Sequence, residues 1–170
     1  DLCPPNDWGE MCIVRNNKGA ILSLNLETDD VKMIAPALTL RDGRPLQEEF
    51  GGQRRRFACS SDGNYLAFND EIRGKDVAVW DLKLSKLKYV VRGTGSTPSF
   101  VAPALALSAD GGLLVNGDSR GEISVWRPSD GVSQLRYHDH STFIEQVTIT
   151  LDDRFIVSAG RDRTIRKIGR

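Results

Sequence analysis

The sequence is poor in several features that would point to a particular chemistry. Among 170 residues it has only two histidines and three cysteines, and the cysteines (Cys3, Cys12 and Cys59) do not stand in CxxC spacing. This excludes the common zinc-binding patterns and a dense disulfide framework. Lys plus Arg number 23 and Asp plus Glu also 23, whereas a generic nucleic-acid or membrane-surface binder needs a basic excess. No run of about 18 apolar residues is present, so no spanning helix is predicted.

What the sequence does contain is a series of short apolar or alternating runs, separated by Gly, Asp, Asn and Ser. About fourteen such runs occur, with turn residues roughly every 8–12 positions, and helical periodicity is scarce. This spacing predicts an all-β protein built from small antiparallel units. In chain order the runs are MCIVR, AILSLNL, VKMIA, RRFACS, YLAFN, DVAVWDL, LKYVV, PALALS, LLVNG, EISVW, SQLRY, QVTIT, FIVSA and TIRKI.

The runs are organised in an internal repeat. The segments ALSADGGLLVNGDSRGEISVW and TITLDDRFIVSAGRDRTIRKI align with Asp110 on Asp152, a period of about 42 residues. A third copy, ACSSDGNYLAFNDEIRGKDVAVW, lies about 48 residues earlier, and a weaker fourth copy, PPNDWGEMCIVRNNKGAILSL, lies near the start. A repeat of this length with four strands is typical of a β-propeller blade, whose small sheets cover one another's faces.

These residues resemble the WD-repeat β-propeller family. Trp80 and Asp81 form the WD pair that ends DVAVWDL, Trp126 ends EISVW, and three Asp-containing turns align between the repeats. The resemblance covers residues 55–170 well and residues 1–54 weakly. It implies a propeller of four-stranded antiparallel blades, with about four WD-repeat units.

The resemblance also implies how the chain is divided. Residues 1–170 are expected to form one partial propeller domain, and the Gly-, Arg- and Glu-rich residues 38–53 an insertion loop between the first and second units. The register predicts units of three, four, four and three strands, incomplete at both ends. We expect part of a larger propeller, cut at both ends or completed by another chain; a small closed ring is the alternative. If the 170 residues are the whole polypeptide, we expect the open arc to be stable only in an assembly or oligomer, because it exposes strand edges and apolar surface between blades.

In this family a His, a Ser or Thr, an Asp and the Trp form a hydrogen-bonded network within each blade. The last unit matches three of these positions, with His140, Ser158 and Asp162, whereas Ile168 replaces the tryptophan. The other units keep the tryptophan and change its partners: Trp126 with Asn116 and Arg120, and Trp80 with Asp70 and Gly74.

The resemblance further implies a partner-binding face, formed by the residue before the Asp of the second turn and by the start of each first strand. The implied function is a non-enzymatic scaffold for protein–protein contacts, as a subunit of a larger assembly that includes a partner completing the propeller. The alternative is an RNA-contacting subunit of a ribonucleoprotein, through the basic segments 54–56 and 161–170. The residues carried over to the partner face are Arg55, Arg73, Ser119, Phe143, Glu145 and Arg161.

No constellation in the sequence favours catalysis. His138 and His140 flank Asp139, but no third ligand or nucleophile has suitable spacing, and no GxSxG elbow is present. The recurring Asp residues suit short turns better than Ca²⁺ loops, which need alternating oxygen ligands. We therefore predict no enzymatic activity, no cofactor and no metal. The sparse cysteines favour an intracellular setting, first the cytoplasm, with the nucleus and organelles left open.

Overall fold

The computed structural model describes residues 10–14, 21–35, 57–69, 77–84, 86–91 and 104–169, and all regular structure in them is β-strand. The strands number fourteen in these ranges, and each coincides with one of the apolar runs of the sequence. The predicted all-β class is therefore confirmed. The strands are β1 (Glu10–Val14), β2 (Ile21–Asn25), β3 (Val31–Ala35), β4 (Phe57–Cys59), β5 (Tyr65–Asn69), β6 (Val77–Asp81), β7 (Lys86–Val91), β8 (Ala104–Leu107), β9 (Leu114–Gly117), β10 (Glu122–Arg127), β11 (Val132–His138), β12 (Ile144–Ile149), β13 (Phe155–Gly160) and β14 (Ile165–Gly169).

Consecutive strands pair antiparallel into four separate sheets. We call them unit 1 (β1–β3), unit 2 (β4–β7), unit 3 (β8–β11) and unit 4 (β12–β14). Their strand numbers are three, four, four and three, as the repeat register predicts. The predicted insertion loop at residues 38–53 lies outside the described residues.

Unit 3 is covered on both faces by its neighbours. Strands β8 and β9 are buried along their whole length, as required of strands whose side chains alternate between two covered faces. On one face Leu114 and Trp126 join Val79 of unit 2 in an apolar cluster. On the other face Val115 packs with Ile144 of unit 4. The sheets of units 2, 3 and 4 therefore stack face to face, and unit 3 shares one apolar cluster with each neighbour.

The stacking of units 3 and 4 depends on a glycine at the end of β9. A Cβ atom added to Gly117 would lie 2.5 Å from Cγ2 of Ile144, which is closer than van der Waals contact allows. The amide of Ile144 donates a hydrogen bond to the carbonyl of Asp118 at 3.0 Å. Strand β12 thus approaches the end of β9 closely enough for direct backbone bonding between neighbouring sheets.

The turns between the first two strands of units 2, 3 and 4 share one hydrogen-bond pattern. A Ser or Thr hydroxyl donates to the carboxylate of the Asp two residues on, and accepts the amide of the residue five positions on. These bonds give the recurring Asp residues a local role in turn formation. The hydroxyl–carboxylate distances are 2.5 Å for Ser60–Asp62, 2.6 Å for Ser108–Asp110 and 2.5 Å for Thr150–Asp152.

Two observations bear on the environment of the chain. None of the described segments forms a helix with the length and apolar character of a membrane span. Cys59, at the end of β4, is disulfide-bonded. Disulfides are rare in reducing compartments, so this bond differs from what the sparse cysteines of the sequence suggest.

Candidate functional site

Antiparallel pairing sends the connections of each unit alternately to two ends of the stacked sheets. We call the end that carries residues 118–121, 139–143 and 161–164 the upper end. The lower end carries the turns at residues 60–64, 108–113, 128–131 and 150–154. The residues predicted from the WD-repeat resemblance fall mostly at the upper end.

His140 is the centre of a buried hydrogen-bonded network at the upper end. The side chain is 1% exposed and lies in the connection between β11 and β12. Its Nδ1 lies 2.9 Å from Oδ2 of Asp162, in the turn between β13 and β14, and its Nε2 lies 2.8 Å from Oγ of Ser158, in β13. The three residues are thus brought together, and they tie the entry of β12 to the next two strands of unit 4.

The protonation of this network follows from its carboxylate. Burial acts to raise the pKa of Asp162, but hydrogen bonds from Thr164, His140 and the amide of Ser141 outweigh it and hold that pKa far below the usual range. Asp162 is therefore an anion at neutral pH. Its charge favours a proton on Nδ1 of His140, so this nitrogen donates to the carboxylate.

The order serine–histidine–aspartate is also that of a hydrolytic triad. In such a site the serine oxygen must meet a substrate. Ser158 is only 1% exposed and lies within β13, so a substrate cannot approach its oxygen. The network therefore has a structural role and connects neighbouring strands. The imidazole of His140 fits only because residue 160 is glycine: a Cβ atom there would lie 2.5 Å from Nδ1 of His140.

The tryptophans of units 2 and 3 differ in their partners. In unit 3 the indole Nε1 of Trp126 donates to Oδ1 of Asn116 at 2.7 Å. The asparagine, which stands at the position of the family's Ser or Thr, is thus the direct acceptor of the indole N–H. In unit 2 the buried Nε1 of Trp80 has no hydrogen-bond acceptor among the described residues.

The strand register explains this difference and corrects one expectation. Trp80 pairs with Leu66 as Trp126 pairs with Leu114, so the position of Asn116 is occupied in unit 2 by Phe68. The expected Asp70 is two residues too far along the chain, and it lies outside the described residues, as does Gly74. The error arises because the connection between β5 and β6 is longer than that between β9 and β10, so a fixed spacing does not transfer.

Asp81, the second residue of the WD pair, has a local role at the lower end. Its side chain is buried, and Oδ1 accepts the amide of Leu84 at 2.9 Å. This bond closes the turn between β6 and β7. Asp81 and Trp80 therefore contribute separately to unit 2, one through the turn and the other through the core.

Three residues of the predicted partner face meet at the upper end. The guanidinium carbon of Arg161 lies 4.8 Å from the ring centroid of Phe143, and its Nε is 2.5 Å from Oε1 of Glu145. The amide of Arg161 also donates to the carbonyl of Phe143 at 2.8 Å. The Arg161 side chain is 61% exposed, whereas Phe143 is buried and presents mainly its ring face to Arg161.

The remaining members of that face are placed differently. Ser119 lies in the upper-end turn of unit 3 and is half-buried, next to the exposed Arg120. Arg55 and Arg73 lie outside the described residues. Among all residues that the structure describes, no group of three His, Cys, Asp or Glu side chains is arranged to hold a metal ion. The upper end is thus a mixed, charged protein surface on a rigid backbone.

Comparison with known proteins identifies the fold. No family model matches the sequence. Apoptotic protease-activating factor 1 from Rattus norvegicus is 27% identical over 114 residues, which cover 61% of this chain and 9% of that protein.

Two solved structures are similar over 98% of the chain. The structure of U3-55K superposes with a TM-score of 0.67 at 21% identity, over 47% of its own chain. The crystal structure of the RRP9 WD40 repeats gives 0.66 at 20% identity, over 46% of its chain. The chain thus spans about half the length of these structures. Together with the antiparallel sheets of three or four strands, this similarity shows that the chain has the WD-repeat β-propeller fold, as a partial propeller.

Proposed function

We infer that the chain is a non-enzymatic scaffold that binds a protein partner at its upper end, within a larger multiprotein assembly. The observation that carries this proposal is the exposed guanidinium of Arg161, which is held in one place by three contacts. Its backbone bonds to the carbonyl of Phe143, its plane lies over the phenyl ring, and Nε meets Glu145. Arginine is among the residues that dominate binding energy at protein interfaces.

Pre-organisation makes this arginine suited to binding. An immobilised side chain loses less conformational entropy when a partner docks. The planar guanidinium also carries N–H groups on Nη1 and Nη2, a geometry that matches a carboxylate bidentately. The buried His140 network fixes the turn on which Arg161 stands. Rigid strands thus position a polar contact on a short turn, as is common in binding proteins.

The alternative is RNA binding through the basic residues of unit 4. Arg163, Arg166 and Lys167 are all exposed, which supports this alternative to the extent that phosphates need accessible cations. Glu145, beside Arg161, favours a protein partner, because its charge opposes a polyanion at the upper end. The proposal also places the protein inside the cell, with the cytoplasm as the favoured compartment. The disulfide at Cys59 argues against the cytoplasm, because disulfides are rare in reducing compartments.

The proposal predicts that Arg161→Glu weakens binding of the partner at least about tenfold, since replacing an arginine that is a binding hot spot costs about 2 kcal/mol or more. The measurement is the dissociation constant for the chain and the protein recovered with it from the undenatured native particle. Arg166→Glu, an equal charge change at an exposed position of β14, is the control and should leave the constant within about twofold.

The reverse pattern would overturn the proposal. If Arg166→Glu weakens binding and Arg161→Glu does not, the contact is on unit 4's basic strand, and a steep loss of affinity with salt would then indicate RNA. Thermal unfolding of both variants, with unchanged midpoints, shows that the upper end remains folded.

A further inference from the structure

A second candidate binding surface lies at the opposite, lower end of the stacked sheets. It is a cleft of about 300 Å³ between units 2 and 3. Its polar lining includes Lys88 from β7, Arg127 and Gln134 from unit 3, Asp110 from the turn between β8 and β9, and Asp153 from unit 4. None of these residues belongs to the His140 network or to the predicted partner face.

Lys88 presents a positive charge to this cleft. Its Nζ lies 3.9 Å from the ring centroid of Tyr65 and 5.4 Å from that of Tyr89. Within the described parts of the chain, no carboxylate forms an ion pair with it. The two rings hold the half-buried ammonium by cation–π attraction, which does not neutralise its charge. Tyr65 also forms a side-chain hydrogen bond with the ammonium, and Asp81 attracts it electrostatically. An ammonium has three N–H groups, so two of them remain for an anionic ligand.

Arg127 is a second, pre-organised cation. Its Nη1 donates to Oδ2 of Asp130 at 3.0 Å, and the side-chain oxygen of Gln134 accepts from Nε at 3.0 Å and also from Nη2. A guanidinium has five N–H groups, so two of them are left for a ligand. Asp130 and Gln134 fix the plane of the guanidinium before any ligand arrives.

Comparison between the repeats shows that the fold does not require this arrangement. Lys88 follows the residue paired with Trp80, and Gln134 follows the residue paired with Trp126, so the two positions are equivalent. Tyr65 and Leu113 are equivalent in the same way, because the amide of each donates to the turn serine. Between units 3 and 4 the ammonium and its ring are thus replaced by a neutral amide and a leucine, and the sheets stack equally well.

We propose that the lower cleft binds a single carboxylate side chain, an Asp or Glu in an extended segment of a partner protein. Lys88 and Arg127 supply its charge-assisted hydrogen bonds. The carboxylates of Asp110 and Asp153 in the same lining repel a ligand with several negative charges, which selects against phosphate and nucleic acid. This contact is separate from that of Arg161, because the two surfaces lie at opposite ends of the strands.

The test compares two small probes that differ only in charge. N-acetylglutamate α-amide and its neutral isostere, N-acetylglutamine amide, are titrated into the isotope-labelled chain while the amide resonances of Gly111 and Gly112 are followed. The acidic probe should shift both resonances saturably, and the neutral probe should bind at least about fivefold more weakly. Equal binding of the two probes would overturn the proposal, as would tighter binding of inorganic phosphate than of the acidic probe.

A matched pair of variants localises the effect. Lys88→Gln installs the residue found at the equivalent position of unit 3 and should weaken the acidic probe at least about fivefold. Lys86→Gln removes an exposed charge two positions earlier in β7 and should change the dissociation constant of the acidic probe less than about twofold. An unchanged affinity in Lys88→Gln contradicts the proposal. If that variant does not fold, the comparison of the two probes on the native chain still decides.

Discussion

Replacement of His140 by alanine lowers the free energy of unfolding by about 2–4 kcal/mol on this account. The imidazole is fully buried and bonds to Ser158 and Asp162, which lie on different elements of unit 4. Its removal leaves a cavity and removes the hydrogen-bond partner of the Ser158 hydroxyl. Asp162 keeps its bonds from Thr164 and Ser141, so the loss stays below that of an isolated buried charge. Denaturant unfolding of the two proteins measures the difference.

The second histidine of the chain provides the control. His138 lies two residues away at the end of β11 and is exposed, so His138→Ala should change the free energy of unfolding by less than about 0.5 kcal/mol. Ser158→Ala, which removes one bond and little volume, should fall between the two, at about 1–2 kcal/mol. If the two histidine variants are equally stable, the network does not hold unit 4 together.

The tryptophans allow a second prediction from two similar substitutions with different partners. Trp126→Phe is expected to lower the free energy of unfolding by about 2–3 kcal/mol, because it removes buried ring volume and also the bond to Asn116. Trp80→Phe removes the same volume and an N–H that has no acceptor among the described residues. Its loss should be smaller by about 1–2 kcal/mol, since burying that N–H already penalises the folded state.

Unfolding of the two variants side by side tests this account of the register. The double variant Asn116→Leu, Trp126→Phe completes a double-mutant cycle for this bond. Because both polar groups are then absent, the double variant should recover part of the unfolding free energy that Trp126→Phe alone loses. Equal losses in Trp80→Phe and Trp126→Phe would show that the bond to Asn116 adds nothing to the stability of unit 3.

Most of the architecture is predictable from the sequence because it depends on local patterns. Alternation of apolar residues marks each strand, and Asp and Gly mark the turns, so all fourteen strands and their grouping follow without tertiary information. These features need only the period of a strand and the composition of a turn.

The side-chain partners are less predictable, because they depend on register across connections of unequal length. A spacing counted back from Trp80 gives Asp70, whereas strand pairing places Phe68 at that position. The only sequence signal for the bond from Trp126 to Asn116 is that the two residues lie ten positions apart. This spacing predicts a contact only when the length of the turn between the two strands is known, because the turn length sets the register. The lower cleft is assembled from three units, so no single repeat reveals it.

Binding of a protein partner at the upper end of the sheets is best tested by amide hydrogen exchange, measured on the chain alone and in its undenatured native assembly. We expect slower exchange in the assembly at residues 119–120 and 161–163, because a docked partner excludes water from these turns. Protection confined to the edge strand β14, or unchanged exchange at both upper-end turns, would show that the partner does not bind there.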